Sequence, residues 1–339
     1  MFGLARSWLF RRDPERAHDL TMEALSKAGR FARVLAHRPP PCPVQVMGLK
    51  LPNPIGLAAG LDKDGEAIDG LAALGFGFLE LGTVTPRPQP GNPQPRMFRV
   101  TEQQALVNRM GFNNAGVDHL VSRIQQARFR GVIGVNIGKN KDTPNERAVD
   151  DYVFCLRQAF SVASYITINV SSPNTAGLRD LQAGDAMYAL LSDLKSEAEV
   201  LAKQHQRRVP LAVKVAPDQS PESLEALVSA INRAAPDGVI ATNTTIDKSS
   251  LGDHAVADEA GGLSGAPLLE RSNEILGALR AQLDDAIDLI GVGGITRGDD
   301  AAAKVRLGAR AVQIYSGLIY RGPELLGEAG HAAADHLQR

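Results

Sequence analysis

From residue 53 onward the chain repeats one unit, a short and nearly continuous apolar run followed by a stretch of helical spacing. The runs fall at 55–59, 78–84, 132–137, 165–170, 211–215, 239–242, 289–292 and 311–315. Runs without polar alternation are what parallel strands covered on both faces require. Between them, 71–74, 117–127, 187–202, 223–234, 268–283 and 301–307 carry apolar residues at helical spacing, with room to cross over. Eight β-then-α units predict an α/β chain folded as a (β/α)8 TIM barrel, with a doubly wound open sheet as the competing arrangement.

The connections are unequal. Segments entering strands are short (75–77, 129–131, 207–210, 236–238, 307–310), whereas several leaving strands are long (85–114, 171–185, 243–267). In a barrel the strand-to-helix loops all lie on the C-terminal face, where active sites sit, so insertions confined to that face point to function.

Residues 1–40 fall outside the repeat. Asp13-Pro14-Glu15 signals a helix start, with a capping acid, proline at the first position and a second acid in the first turn. Ala17, Leu20, Ala24, Leu25, Ala28, Phe31 and Leu35 then form an apolar stripe, and Leu4, Trp8, Leu9 and Phe10 suggest a shorter helix ahead of it. A proline-rich run at 39–43 separates this unit, 1–40, from the barrel, 41–339. The unit holds eight basic and four acidic residues, while the other 299 hold 29 and 34. Such a basic helix pair is either a packed cap on the barrel or a membrane-surface device. The whole-chain charge of −1 argues against nucleic-acid binding. No apolar run reaches membrane-spanning length and no secretory signal is evident. Cys42 and Cys155 cannot build a disulfide framework, which fits a reducing compartment.

Polar residues gather where the runs end: Gly60-Leu61-Asp62-Lys63, Gly82-Thr83, Asn136, Asn169 with Ser171, Ser172 and Asn174, Lys214, Thr242-Asn243-Thr244, Gly293-Gly294, and Tyr315-Ser316-Gly317. Asn136, Asn169 and Lys214 lie inside otherwise apolar strands, where an unpaired polar group costs several kcal/mol. Gly291-Val292-Gly293-Gly294-Ile295 after strand seven and Tyr315-Ser316-Gly317 after strand eight suit a phosphate. A lysine on strand five can set positive charge beside an electron-accepting ring, and Asn and Thr side chains suit a planar heterocycle. No His/Cys cluster suggests a metal, and no Gly-x-Gly-x-x-Gly follows the first strand. These residues describe a barrel enzyme with a phosphate-bearing cofactor and a small, polar, planar substrate.

Ala58-Ala59-Gly60-Leu61-Asp62-Lys63-Asp64-Gly65, Gly82-Thr83-Val84-Thr85-Pro86, Asn108-Arg109-Met110-Gly111-Phe112-Asn113-Asn114, Asn169-Val170-Ser171-Ser172-Pro173-Asn174-Thr175 and Gly291-Val292-Gly293-Gly294-Ile295 together resemble class 2 dihydroorotate dehydrogenase. The resemblance covers essentially the whole chain. It implies FMN as cofactor and oxidation of (S)-dihydroorotate to orotate, with hydride transfer to FMN and re-oxidation by a membrane quinone, in de novo pyrimidine (UMP) biosynthesis. Carried over by position, FMN would meet Ala59, Gly60, Leu61, Asp62, Lys63 and Thr83 at the first two strand ends. It would meet Asn136, Asn169, Lys214 and Thr242 from strands three to six, and Gly265, Gly294, Tyr315 and Ser316 from the last loops. The substrate would meet Lys63, Asn108, Arg109, Met110, Gly111, Phe112, Asn169, Asn174, Asn243 and Thr244. Ser172 stands at the position of the catalytic base, which is cysteine in class 1 relatives.

The same resemblance implies that residues 1–40 form a quinone entrance, held on anionic lipid at the cytoplasmic face of the inner membrane as a peripheral attachment. No metal and no nucleic acid are expected. Other flavin barrels, acting on dihydropyrimidines or dihydrouridine, would carry cysteine in the Ser172 loop. A catalytically silent phosphate-binding barrel would not need Lys63, Asn169, Ser172 and Lys214 together.

Overall fold

The computed structural model describes residues 2–175 and 177–337, the side chains of Phe2 and Leu4 excepted. The Leu4 side chain named above therefore lies outside the described residues.

Eight parallel strands close into a barrel: β1 (Ile55–Leu57), β2 (Phe78–Val84), β3 (Val132–Ile137), β4 (Tyr165–Asn169), β5 (Leu211–Val215), β6 (Gly238–Ala241), β7 (Asp288–Val292) and β8 (Ala311–Ile314). Each pairs with its neighbours in chain order, and β8 returns to β1, so the open-sheet alternative is excluded. All eight apolar runs are strands, with ends within two residues of the sequence reading.

Two large rings fill the inside of the barrel because two glycines make room for them. A Cβ on Gly56 would lie 2.2 Å from the Phe78 ring, and one on Gly134 would lie 2.1 Å from the Tyr165 ring. The two rings meet edge to face with centroids 6.4 Å apart. A hairpin, Val44–Val46 paired with Leu49–Leu51, adds Val46, Met47 and Leu51 to this interior cluster. Met47 N–H donates to Asp288 Oδ2 at the start of β7 (2.5 Å), so the hairpin plugs the N-terminal end and leaves the opposite end open for a site.

Two long loops on that opposite face are not irregular. Met97–Val100 and Ala105–Asn108 from the insertion after β2 join Gly262–Gly265 from the insertion after β6 in a three-stranded antiparallel sheet. Val100, Ala105, Val107, Leu251 and Leu263 give it a small core of its own. Asn108, at the end of its central strand, is thereby fixed over the barrel mouth.

The N-terminal unit forms helices Phe2–Leu9 and Pro14–Ala28. Asp13 caps the second, its side chain accepting from Arg16 N–H (3.0 Å), with Pro14 in the first turn as the sequence indicates. The apolar stripe does not continue on one α-helix through Leu35. Gly29, at φ +47°, ends the helix, and a 3-10 turn, Gly29–Leu35, follows. Ala17, Met22 and Ala32 are buried, whereas Phe31 is 67% and Val34 82% exposed. Glu15 anchors the long helix to Arg96, and Arg6 Nη1 donates to Tyr320 O (2.6 Å).

Candidate active site

A cavity opens at the C-terminal ends of the strands. Nineteen of the 23 residues expected to meet cofactor or substrate or to act as base line it: Ala59, Gly60 and Lys63 after β1; Thr83 on β2; Asn108, Met110, Gly111 and Phe112 from the insertion after β2; Asn169, Ser172 and Asn174 from β4 and its loop; Lys214 on β5; Thr242, Asn243 and Thr244 after β6; Gly265; Gly294; and Tyr315 and Ser316 after β8. Four do not. Leu61 and Asp62 turn away, and both Asp62 oxygens accept backbone N–H bonds, from Glu66 (2.8 Å) and Ala67 (2.9 Å). Arg109 pairs with Glu259 and donates to Pro95 O (2.7 Å). Asn136 lies one layer deeper, fully buried.

That deeper layer explains how the polar strand residues are tolerated. Glu80, on β2, accepts from Asn136 Nδ2 (2.8 Å), Tyr165 OH (2.9 Å) and Gln313 Nε2 (2.7 Å). Asn136 Oδ1 accepts from Thr83 Oγ1 (2.6 Å) and Asn169 Nδ2 (3.1 Å), and Asn169 Nδ2 also donates to Thr83 Oγ1 (2.9 Å). Ser171 Oγ donates to Asn169 Oδ1 (3.0 Å) and accepts from Asn243 Nδ2 (2.9 Å). A continuous network thus runs from the barrel centre to the loop beyond β6, locking rotamers at the cavity floor. Glu80 and Gln313 belong to it, and neither was singled out in the sequence. Both sit inside apolar strands, the signal that marked Asn136, Asn169 and Lys214.

The two cavity lysines differ. Lys214 is buried at the floor, and burial pushes its ammonium below the ordinary lysine range, partly offset by the Glu80 carboxylate. Lys63, at the rim, donates to Asn113 Oδ1 (2.9 Å). Burial pushes it down to about 8, against the attraction of Asp64. Ser172 is buried, and its Oγ accepts Asn174 N–H (3.2 Å), while Asn174 Nδ2 reaches Asn108 Oδ1 (3.3 Å). The serine loop is therefore tied to the sheet that covers the mouth.

The residues suit a flat ring with polar edges that carries a phosphate. Gln313 Oε1 and Thr244 Oγ1 are buried without hydrogen-bond partners among the described residues, and both residues line the cavity. They leave polar groups for a ring with donor and acceptor edges to satisfy. At Gly294, φ +78°, a Cβ would stand 2.3 Å from Leu269 Cα, so bare backbone forms the wall where a phosphate would lie.

A second cleft lies between helix Pro14–Ala28 and the loop after β1, where Met22, Leu61, Met97 and Met110 stand among charged residues such as Glu15, Asp19 and Glu23, and none of the apolar-stripe residues lines it. It shares Gly60, Lys63, Met110 and Tyr315 with the first cavity. Burial, with Lys63 adding to it, pushes the His18 imidazole down to about 4, so His18 stands neutral beside the lysine.

The family model for dihydroorotate dehydrogenase matches residues 42–330. The chain is 56% identical over 336 residues to a dihydroorotate dehydrogenase (quinone) of Azotobacter vinelandii, covering 98% of this chain and 97% of that one. It is 55% identical over 338 residues to the Neisseria meningitidis protein of the same name, covering 100% and 99%. Among solved structures, that of the Eimeria tenella enzyme in complex with ferulenol superposes with a TM-score of 0.86 at 38% identity, over 96% of this chain and 90% of that one. A barrel whose lysines, serine and asparagines meet at one mouth, aligned end to end with these relatives, belongs to the dihydroorotate dehydrogenase family, in its class 2, quinone-dependent branch, and is an oxidoreductase acting on CH–CH donors.

Proposed function

We propose that the chain oxidises (S)-dihydroorotate to orotate with FMN as its flavin and a membrane quinone as final oxidant, in the pathway to UMP. The observation that carries this reading is the meeting of Ser172, Lys63, Lys214 and the Asn169 network in one cavity. FMN, when bound, supplies the hydride acceptor. Gly265, Gly294 and Ser316 would hold its phosphate end and Thr83, Asn169 and Lys214 its ring. Lys63 holds the substrate carboxylate through a charge-assisted hydrogen bond. Asn108, Asn174, Asn243 and Thr244 orient the ring edges of the substrate. Ser172 takes the proton from the carbon beside the ring carbonyl. A serine hydroxyl is a weak base at neutral pH, so it passes its own proton onward as it does so.

The second cleft supports a separate place for the quinone. Its wall is the helix that carries Glu15, His18 and Met22, so residues 1–40 act as the access unit and 41–339 as the catalytic barrel. Trp8, Phe31, Val34 and Leu35 are exposed apolar side chains. The Arg12 guanidinium lies 3.9 Å from the Trp8 ring centroid, and Arg30 lies 5.5 Å from that of Phe31. Apolar groups set among cations suit an anionic lipid surface, here the cytoplasmic face of the inner membrane. No helix among the described residues is long and apolar enough to cross a membrane.

The decisive experiment records the visible spectrum of the purified protein and adds dihydroorotate without oxygen. Flavin bands that bleach, and recover on adding quinone, are expected. A colourless protein, or bands indifferent to dihydroorotate, would overturn the reading.

A further inference from the structure

Behind the glycine turn that ends β7 lies a lysine the proposed reaction does not use. Lys304, on helix Gly298–Arg306, is 0% exposed. Its ammonium donates to Ser272 Oγ (2.7 Å) and Asn273 Oδ1 (2.9 Å), both neutral acceptors. The acid one turn earlier, Asp300, gives its carboxylate instead to Thr296 N–H (2.9 Å), Thr296 Oγ1–H (3.1 Å) and Arg297 N–H (3.0 Å). Burial pushes the lysine down to about 7, with Asp300 only partly opposing. A buried cation without a paired anion is costly, and proteins retain one where some other negative charge completes the balance.

The position of the side chain indicates where that charge belongs. A Cβ on Gly291 would meet Lys304 Cδ at 2.9 Å, so the lysine stem runs along the back of the turn. Ser272, which accepts from the ammonium, shares its one hydroxyl proton between Leu269 O (2.9 Å) and Gly293 O (3.1 Å), and a Cβ on Gly293 would meet Ser272 Cβ at 3.0 Å. The front of the same turn, Val292, Gly293 and Gly294, is cavity wall. A chain of contacts therefore joins the buried ammonium to the backbone that faces the ligand.

We propose that Lys304 is a positioning residue for the phosphate of the flavin: acting through Ser272 and the Gly293–Gly294 turn, and as a counter-charge from behind it, it makes the site prefer a phosphorylated flavin to a neutral one. This rests on the FMN reading above. Lys304 is not among the residues that line the cavity, so its effect should fall on the anionic end of the cofactor alone.

The test is a pair of titrations. Full-length protein stripped of flavin is titrated with FMN and with riboflavin, followed by flavin fluorescence, for wild type, Lys304→Met and Lys304→Gln. The glutamine keeps a donor for Ser272 but removes the charge. Loss of one unit charge near a phosphate in a partly screened interior weakens FMN binding by roughly 10- to 100-fold. Riboflavin binding should stay within about threefold, and it doubles as the check that each variant is folded. Parallel loss of FMN and riboflavin in both variants would reduce Lys304 to a packing role and overturn the proposal. So would unchanged FMN binding in Lys304→Gln. A wild-type protein that binds riboflavin as tightly as FMN would remove the FMN reading and the proposal together, a result distinct from either variant outcome.

Discussion

Glu15 and Arg96 join the N-terminal helix to the sheet over the active site, and cutting that joint should separate two half-reactions. Arg96 Nε lies 3.0 and 3.2 Å from the two Glu15 oxygens, and Nη2 lies 2.7 Å from Oε1. Its Nη1 is already committed to Pro90 O (2.6 Å) and Asn92 O (2.9 Å). The two side chains are only 10% and 13% exposed. Glu15→Gln leaves a guanidinium largely buried with half of its partners. Breaking a fully buried pair costs about 3–5 kcal/mol, and the residual exposure brings this to about 2–3 kcal/mol. For a 339-residue chain with a melting entropy of about 2.1 cal/mol/K per residue, that is a drop of roughly 3–4 °C if the chain melts as one unit. If only the helix lets go, its docking equilibrium constant falls instead, by roughly 30- to 160-fold.

Burial alone would raise the Glu15 carboxyl, but the hydrogen bonds and charge of Arg96 more than reverse this and hold it below the usual range. A carboxyl depressed on folding contributes its full stability above its unfolded pKa of about 4.5 and loses it as pH falls through the folded value. The difference between wild type and Glu15→Gln should therefore be flat above about pH 5 and shrink in more acid solution. Differential scanning fluorimetry from pH 4 to 8, with turnover on a long-chain quinone and on a soluble dye, checks both parts. Quinone turnover should fall while anaerobic flavin reduction by dihydroorotate holds. A variant with wild-type melting and wild-type quinone kinetics would refute the reasoning.

Ser172→Ala should bind FMN and orotate nearly as wild type does but slow single-turnover flavin reduction by about 10²–10⁴-fold, and reduction at wild-type speed would remove Ser172 from the base role. Lys63→Ala should chiefly raise the dihydroorotate KM, whereas Lys214→Ala should weaken flavin retention; identical defects would contradict the division of roles. Because Lys63 must be charged to hold a carboxylate and is pushed down to about 8, substrate affinity should decline as pH rises past about 8, and initial-rate KM profiles should lose that limb in Lys63→Ala. Deleting residues 1–40 should spare bleaching by dihydroorotate and dye turnover but abolish turnover with a long-chain quinone, as stopped-flow and steady-state rates will show.

The barrel was legible because each of its strands is buried on both faces and so shows as an apolar run. The ends of those runs were legible because side chains that face a cavity need not be apolar. What lay between them was harder to read. Gly262–Gly265 has no β-forming composition, and its partner strand, Ala105–Asn108, lies more than 150 residues earlier. Only the closed barrel brings two loops with no shared local pattern side by side. Gly29 likewise breaks a stripe whose spacing continues past it, since periodicity records which residues are apolar and not whether the backbone between them stays helical.

For the site, one rule found some residues and missed others of the same kind. A polar residue inside an apolar strand must be paired or functional. That rule marks Asn136, Asn169 and Lys214, and it applies equally to Glu80 in Phe78–Val84 and to Gln313 in Ala311–Ile314. The structure shows why all five belong together: Glu80 is the anion to which Asn136 and Gln313 donate, and it partly offsets the buried Lys214. Lys304 escapes the rule altogether. Within Gly298–Arg306, Asp299 and Asp300 precede a run of three alanines and Lys304 and Arg306 follow it, and a lysine there reads as part of a solvated face. Helix Leu269–Gln282, through Ser272 and Asn273, and the end of β7, at Gly291, close over it and withdraw the side chain from water. Whether a charge is solvated is thus decided by a neighbour far along the chain, so a buried lysine of this kind becomes visible only once the packing of the two helices is known.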